Sequence, residues 1–219
     1  MGANARAEAP PREKVHPLQG PMLGKLLDRA EQVVILLLWV VLVERVIRSG
    51  NIYAPLLLLS ETAVLVFALI RRPTQAITRR LGDWLLAIAA TAAPLLIVPS
   101  QSPLPQIAFA GVTLVLLGNV GQAAAKLALR RSFGIAPANR GIKVSGPYAL
   151  VRHPMYAGYL LVHIGNLVLF PSLLNVTVYA IGWTAQILRL QAEEQLLSQD
   201  ETYRAYRDKV RWRLIPGIF

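Results

Sequence analysis

Apolar runs of near-bilayer length, parted by short charged blocks, constrain this chain more than any other feature. Five or six such runs can be read: Val33–Ile47, Tyr53–Ile70, Leu81–Pro99, Leu104–Leu129, Tyr156–Phe170 and Leu173–Leu188. A bilayer crossing needs about 20 mostly apolar residues as helix, so the first run needs its flanks from Ala30 onward and the last two sit near the lower limit. Hydrophobic residues make up 54% of the 219 and charged residues 16%, against about 25% charge in a soluble domain. The sequence predicts an all-α polytopic transmembrane bundle of about six helices. Its last two helices, joined around Pro171 and Asn175, form a hairpin, and a cytoplasmic C-terminal region follows. Five crossings, with one run merged or re-entrant, is the rival count.

Charge placement orients the bundle. Arg71, Arg72, Arg79 and Arg80 lie between the second and third runs, and Lys126, Arg130, Arg131, Arg140, Lys143 and Arg152 follow the fourth. The turns at Pro99–Pro105 and Phe170–Asn175 carry no charge. With six crossings and a cytoplasmic N-terminus, every basic block falls inside. In a bacterium this membrane is the inner one, with both termini cytoplasmic. The same rule accounts for the net charge of +11 before nucleic acid is invoked. Residues 1–29, with Pro10, Pro11, Pro17 and Pro21, read as a flexible cytoplasmic tail rather than a secretory signal, with an interfacial piece around Met22–Arg29. Residues 30–103 hold the N-terminal membrane helices. Residues 104–219 form a second region, whose polar end is expected to pack back on the bundle through Tyr203, Tyr206, Trp212 and Phe219. Pro94 should kink or end the third helix.

The chain has no cysteine and three scattered histidines, His16, His153 and His163. Thiol chemistry, disulfides and iron–sulfur clusters are excluded, and no metal site is expected. Nucleotide-binding loops, a serine elbow and zinc-hydrolase motifs are missing too. Two polar clusters remain. Gly146–Gly158, GPYALVRHPMYAG, runs from a turn into a helix with Pro154 in its first turn. There, Arg152, His153 and Tyr156 surround a helix N-terminus, which suits an anion. In Arg189–Leu197, RLQAEEQLL, Arg189 and Glu193 share a helix face, with Glu194 one position round. The hairpin would bring both clusters to one cytoplasmic mouth. In the fourth run Gly118 and Gln122 share a face, where small residues allow close helix approach. Glu61, mid-depth in the second run, must be paired, protonated or functional.

These motifs, with YRAYRDKV and the closing RLIP, stand in the order and spacing of one family. From about Leu114 to Pro216 the chain resembles the isoprenylcysteine carboxyl methyltransferase family and its phospholipid-methylating relatives. The resemblance implies a membrane methyltransferase that uses S-adenosylmethionine (S-adenosyl-L-methionine), with the cofactor entering from the cytoplasm. A lipidic or small hydrophobic acceptor would enter from the bilayer: an isoprenylcysteine carboxylate or a lipid amine. It assigns cofactor contacts to Gln122, Tyr148, Arg152, His153, Tyr156, Gly158, Glu193 and Glu194, with Phe133-Gly134 closing the pocket. Arg189 and Glu193 would lie nearest the reacting groups. The chain departs from the family around Gly141–Ser145, where many relatives carry a histidine, and before Tyr203, where Asp200, Glu201 and Thr202 replace the usual glycine. The terminal region also resembles membrane sterol-type reductases that use NADPH. A scaffold or small transporter stays open as a non-enzymatic alternative.

Overall fold

Four helices open on proline, whose missing N–H costs nothing in a first turn, and two others are capped by side chains. The computed structural model describes residues 21–70, 81–99, 103–129 and 142–219. Among the described residues it has seven α-helices and no strand: α1 (Pro21–Ser49), α2 (Pro55–Ile70), α3 (Leu81–Leu95), α4 (Pro105–Leu129), α5 (Pro154–Leu169), α6 (Leu173–Leu197) and α7 (Glu201–Lys209). A 3-10 turn, Gly146–Ala149, precedes α5. Ser172 caps α6 by accepting from the Asn175 amide at 3.1 Å, and Asp200 caps α7 by accepting from Thr202 at 2.8 Å. The arginines between α2 and α3, Arg130, Arg131, Arg140 and the Phe133-Gly134 segment lie outside the described residues, as does the tail up to residue 20.

Several boundaries differ from those expected. α1 begins at Pro21 rather than Ala30, so the proposed interfacial piece and the first apolar run are one continuous helix. α6 continues to Leu197, because the polar stretch after Leu188 keeps strong helix formers such as Leu, Gln, Ala and Glu. α3 stops at Leu95, directly after Pro94. Only α4, Pro105–Leu129, is both long and apolar enough to cross a bilayer by length and composition among the described residues; α2, α5 and Leu85–Leu95 are shorter apolar helices.

Antiparallel pairs build the bundle. α1 meets α2 through Gln32 Nε2, which donates to the Ala68 carbonyl at 2.9 Å, and through Trp39 Nε1, which donates to Thr62 Oγ1 at 2.9 Å. α6 packs on α3, where Gly182 faces Ala93. The buried Asn175 side chain donates to the carbonyls of Val98 and Phe170, both at 2.9 Å. It thereby ties the chain leaving α3 to the start of α6. The closest seam joins α4 and α5. A Cβ on Gly118 would lie 2.7 Å from the Gly158 carbonyl oxygen and 2.8 Å from the Val162 nitrogen, and one on Gly165 would lie 2.7 Å from the Gly111 carbonyl oxygen. Backbone cannot yield as a flexible side chain can. Gly118→Ala is therefore expected to destabilise the bundle by about 1–3 kcal/mol. Gly121→Ala, with nothing within 4 Å of the added carbon, should be neutral or slightly stabilising when the two are compared by thermal unfolding in detergent.

The expected hairpin of α5 and α6 exists in connectivity but not as a tight pair. Its backbones make few close approaches, since α5 lies on α4 and α6 on α3. Large side chains fill the space between them. His163 stacks on Tyr179 with ring centroids 4.5 Å apart, and Tyr159 stacks on His163 at 6.0 Å. Trp183 meets His163 edge-on. Such a splayed, aromatic-filled gap leaves room for a site that two helices packed at contact distance would close.

Candidate active site

The two polar clusters do converge, at the N-terminus of α5 and the last turns of α6. Glu194 is their centre. Its Oε1 lies 3.2 Å from Arg152 Nη1 and 3.1 Å from His153 Nε2. Tyr203 donates to the same oxygen at 3.4 Å, and Arg213 Nε donates to Oε2 at 2.9 Å. Burial alone would raise the Glu194 carboxyl; the hydrogen bonds from His153 and Arg213 and the charges of His153 and Arg152 overcome it and hold the group at about 2. Glu194 thus joins the entry of α5 to the C-terminal segment.

That segment closes over the cluster as backbone. The Arg152 amide donates to the Trp212 carbonyl and the His153 amide to Arg213, both at 2.8 Å. Tyr206 donates to the Tyr148 carbonyl at 2.6 Å, and burial pushes its own hydroxyl up to about 12. Tyr203 and Tyr206 are buried, as the packing-back of this region requires. Trp212 and Phe219 stay partly exposed, with the Arg213 guanidinium 5.0 Å from the Phe219 ring centre.

One turn further in, Tyr156 stands between the two residues expected nearest the chemistry. Its hydroxyl donates to Glu193 Oε2 at 3.1 Å, and the Arg189 guanidinium lies 5.5 Å from its ring centre. Arg189 Nη1 also donates to Gln186 Oε1 at 3.3 Å. An arginine, a carboxylate and a buried tyrosine are so arranged that each fixes the next. Beyond Arg189 a pocket of mixed character opens between α2, α3, α5 and α6, with Glu61, Thr91, Tyr159, His163 and Gln186 among its walls.

Gly158 has a packing role beside the ligand contact the resemblance assigns to it. The space its side chain would fill is occupied by α4, 2.7 Å from Gln122 Cγ and 2.9 Å from the Gly118 carbonyl oxygen. It serves the helix seam. Gln122 is buried behind it and accepts from Lys126 Nζ at 2.9 Å, while its own Nε2 has no hydrogen-bond partner among the described residues.

Several polar residues at this place were not singled out for the site. Lys126 was counted with the basic connection, yet it is 1% exposed, lies 5.4 Å from the Tyr159 ring centre and interacts electrostatically with Glu61. Its sequence signal was the four-residue step from Gln122, which puts both on one face. Tyr159, His163 and Gln186 follow Tyr156 and precede Arg189 at helical spacing, on the faces that α5 and α6 turn toward each other. Arg213 opens the RLIP motif, but its partner Glu194 lies 19 residues away, so the motif alone gives it no role.

Compared with known protein families, residues 112–199 match the model described as the isoprenylcysteine carboxyl methyltransferase (ICMT) family. That is the family the motifs resemble, and it is one of membrane methyltransferases. The match covers α4 from Val112, all of α5 and all of α6, and leaves α1 to α3 and α7 outside it. No curated protein matches the chain.

Proposed function

We propose, with the ICMT-family domain at residues 112–199 as premise, that this chain is a multi-pass membrane enzyme. It transfers a methyl group from S-adenosylmethionine to a lipidic or small hydrophobic acceptor. The observation that carries the reading is the Arg189–Tyr156–Glu193 arrangement, set beside the Glu194 hub inside that domain. The residues present fit such a cofactor. Carboxylates, guanidinium groups and tyrosine faces within one small volume suit a ligand that joins a carboxylate, an ammonium, a sulfonium and an adenine. When bound, the cofactor supplies an electrophilic methyl group on sulfur.

The chain's own residues have distinct tasks. Tyr148, Arg152, His153 and Tyr156 form the wall at the α5 N-terminus that receives the cofactor's charged end, and Gln122 backs it from α4. Glu194 holds Arg152 and His153 in position and adds negative charge to that wall. Tyr156 fixes the Glu193 carboxylate, which attracts cationic parts of the cofactor, and its ring supports Arg189 beside the acceptor. Tyr203 and Tyr206 shut water out from the α7 side. Methyl transfer needs alignment and little bulk water more than acid–base groups, and a buried, cross-braced site meets that need.

Six crossings with cytoplasmic termini remain the topology we favour. It is supported by outward-facing Leu37, Val40, Phe109, Leu117, Leu173 and Ile181, while Glu61, Gln122, Lys126 and Arg189 are buried inside. Apolar residues outside and polar residues within is the arrangement a bilayer selects. Calorimetry on detergent-purified protein with S-adenosylhomocysteine, and in parallel with NADPH, tests the function. Binding of the adenosyl compound and none of NADPH is expected. The opposite pattern would end the methyltransferase reading and favour a reductase.

A further inference from the structure

The segment that follows α7 has an inner and an outer side. On the inner side Leu214 is buried against Tyr156 and Leu190, and Arg213 reaches Glu194. The loop holds its own shape. The amides of Arg213, Leu214 and Ile215 all donate to the Phe219 carbonyl, at 2.9, 2.8 and 3.0 Å, and Gly217 turns the chain at a φ of 84°, which a residue without Cβ adopts freely. On the outer side Trp212, Ile215, Ile218 and Phe219 are exposed, Ile218 at 77%. Leu150, two residues before the backbone bond from Arg152 to Trp212, is 71% exposed. Cations are interleaved with these apolar groups. From Arg207 to Phe219 the sequence has four cations and one acid, Asp208. Arg213 is taken by Glu194, while Arg207, Lys209 and Arg211 are exposed. An apolar patch with a polar rim marks a surface that something covers.

The depth of this face follows from α5. That helix has 16 residues and is about 24 Å long, less than the roughly 30 Å of a bilayer's hydrocarbon. With Phe170 at the far boundary, the first turn of α5 lies at or just inside the near one. The Arg152 and His153 amides fasten the segment at that level, so its outer face meets the headgroup layer, where tryptophan and long cationic side chains are favoured. We infer that the segment from Arg207 to Phe219 is an interfacial wedge that binds an anionic lipid surface. Trp212, Ile215, Ile218 and Phe219 enter the acyl boundary, and Arg207, Lys209 and Arg211 take lipid phosphates. The inference rests on the membrane topology proposed above and not on methyl transfer. Charge selects the occupant: a second copy of this chain would bring the same positive face, whereas an anionic leaflet strengthens attachment about fivefold for each nearby cation. The same loop lays Leu214 on Tyr156 and Arg213 on Glu194, so lipid contact on its outer side holds the cover of the site shut.

The test uses the full chain in nanodiscs of phosphatidylcholine alone and of an equal mixture of phosphatidylcholine and phosphatidylglycerol. Insertion is read from the fluorescence of wild type minus that of Trp212→Phe, with lipids brominated near the headgroup end of their acyl chains. The Trp212 signal should be quenched. Closure is read as the rate of proteinase K cleavage between Arg207 and Phe219, which should be at least about tenfold slower with phosphatidylglycerol present, the effect of two or three cations. The triple variant Arg207→Gln, Lys209→Gln, Arg211→Gln should lose that protection and keep the thermal midpoint of wild type in detergent. High salt should remove the same protection from wild type, a check that needs no variant. An unquenched Trp212, equal cleavage in the two lipids, or protection that survives both high salt and the triple substitution would each overturn the inference. So would protection found only in discs holding two copies, which would give the face to a second chain. Neither readout involves the cofactor. Failure of S-adenosylhomocysteine binding would therefore end the methyltransferase reading and leave the wedge standing, and failure of the wedge would leave that reading untouched.

Discussion

Arg189→Ala should abolish methyl transfer while leaving the bundle folded. The guanidinium lies over the Tyr156 ring, binds Gln186 and faces the pocket. It is 5% exposed, so its charge acts in surroundings where water screens little. Removing one preorganised electrostatic contact to a reacting centre costs about 10²–10³ in rate. A surface ion pair at the same spacing would be worth only about 0.3–0.5 kcal/mol of stability, and its loss would leave turnover intact. Glu193→Gln keeps the shape and the contact with Tyr156 but deletes the charge, and should weaken S-adenosylhomocysteine binding about tenfold with a smaller effect on kcat. Labelled-methyl transfer, calorimetry and thermal unfolding on the two variants separate these effects. Near-wild-type turnover in both would remove Arg189 and Glu193 from the site, even if the protein were still a methyltransferase.

The helices of this chain were legible because hydropathy and proline speak locally. Pro154 opens α5 and Pro94 stands at the end of α3, as a residue without an N–H must. The proximity of the two clusters was legible because a short turn at Pro171 returns α6 toward α5. What was not legible depends on partners far apart in sequence. Lys126 looks like one more loop cation until α2 brings Glu61 beside it. Gly158 shows no packing role in the sequence until α4 fills the space beside it. The splay between the two arms of the α5–α6 hairpin was not legible for a related reason: nothing in either run says that α4 and α3 compete for their faces, and the glycines at 111, 118, 158 and 165 favour the pairing of α4 with α5.

The division between family domain and remaining helices has a physical counterpart. Within residues 112–199 lie the side chains that face each other across the splayed gap: His153, Tyr156, Tyr159, His163, Arg189 and Glu193. Outside it lie those that close the gap from above and behind. Arg213 and Tyr203 complete the Glu194 hub, and Glu61 and Thr91 complete the pocket. A domain of α4, α5 and α6 alone would expose a buried lysine and a row of tyrosines. The N-terminal helices and the C-terminal segment are therefore needed for the site to be dry.

Glu194→Ala should cost more stability than any other single change at the site. The carboxylate holds two buried groups, Arg152 and His153, together with the half-exposed Arg213. Deleting one partner of a buried ion pair leaves the other uncompensated, at about 3–5 kcal/mol. Here the loss also frees the C-terminal segment, whose backbone bonds to residues 152 and 153 depend on the same junction. The thermal midpoint in detergent should fall by several degrees, and the segment after Lys209 should become open to proteolysis. Glu194→Gln, which keeps the acceptor oxygen and loses the charge, should fall between wild type and alanine. The pH dependence carries the sign of a depressed carboxyl. Its folded value of about 2 lies below the ordinary 4.5, so its stabilisation is complete above about 4.5 and is lost as pH falls toward 2. The stability advantage of wild type over Glu194→Gln should therefore be full above about pH 4.5 and shrink as pH falls, so that the two curves converge as pH approaches 2. Parallel curves across the whole range, with no convergence, would mean that Glu194 does not hold the junction through its charge.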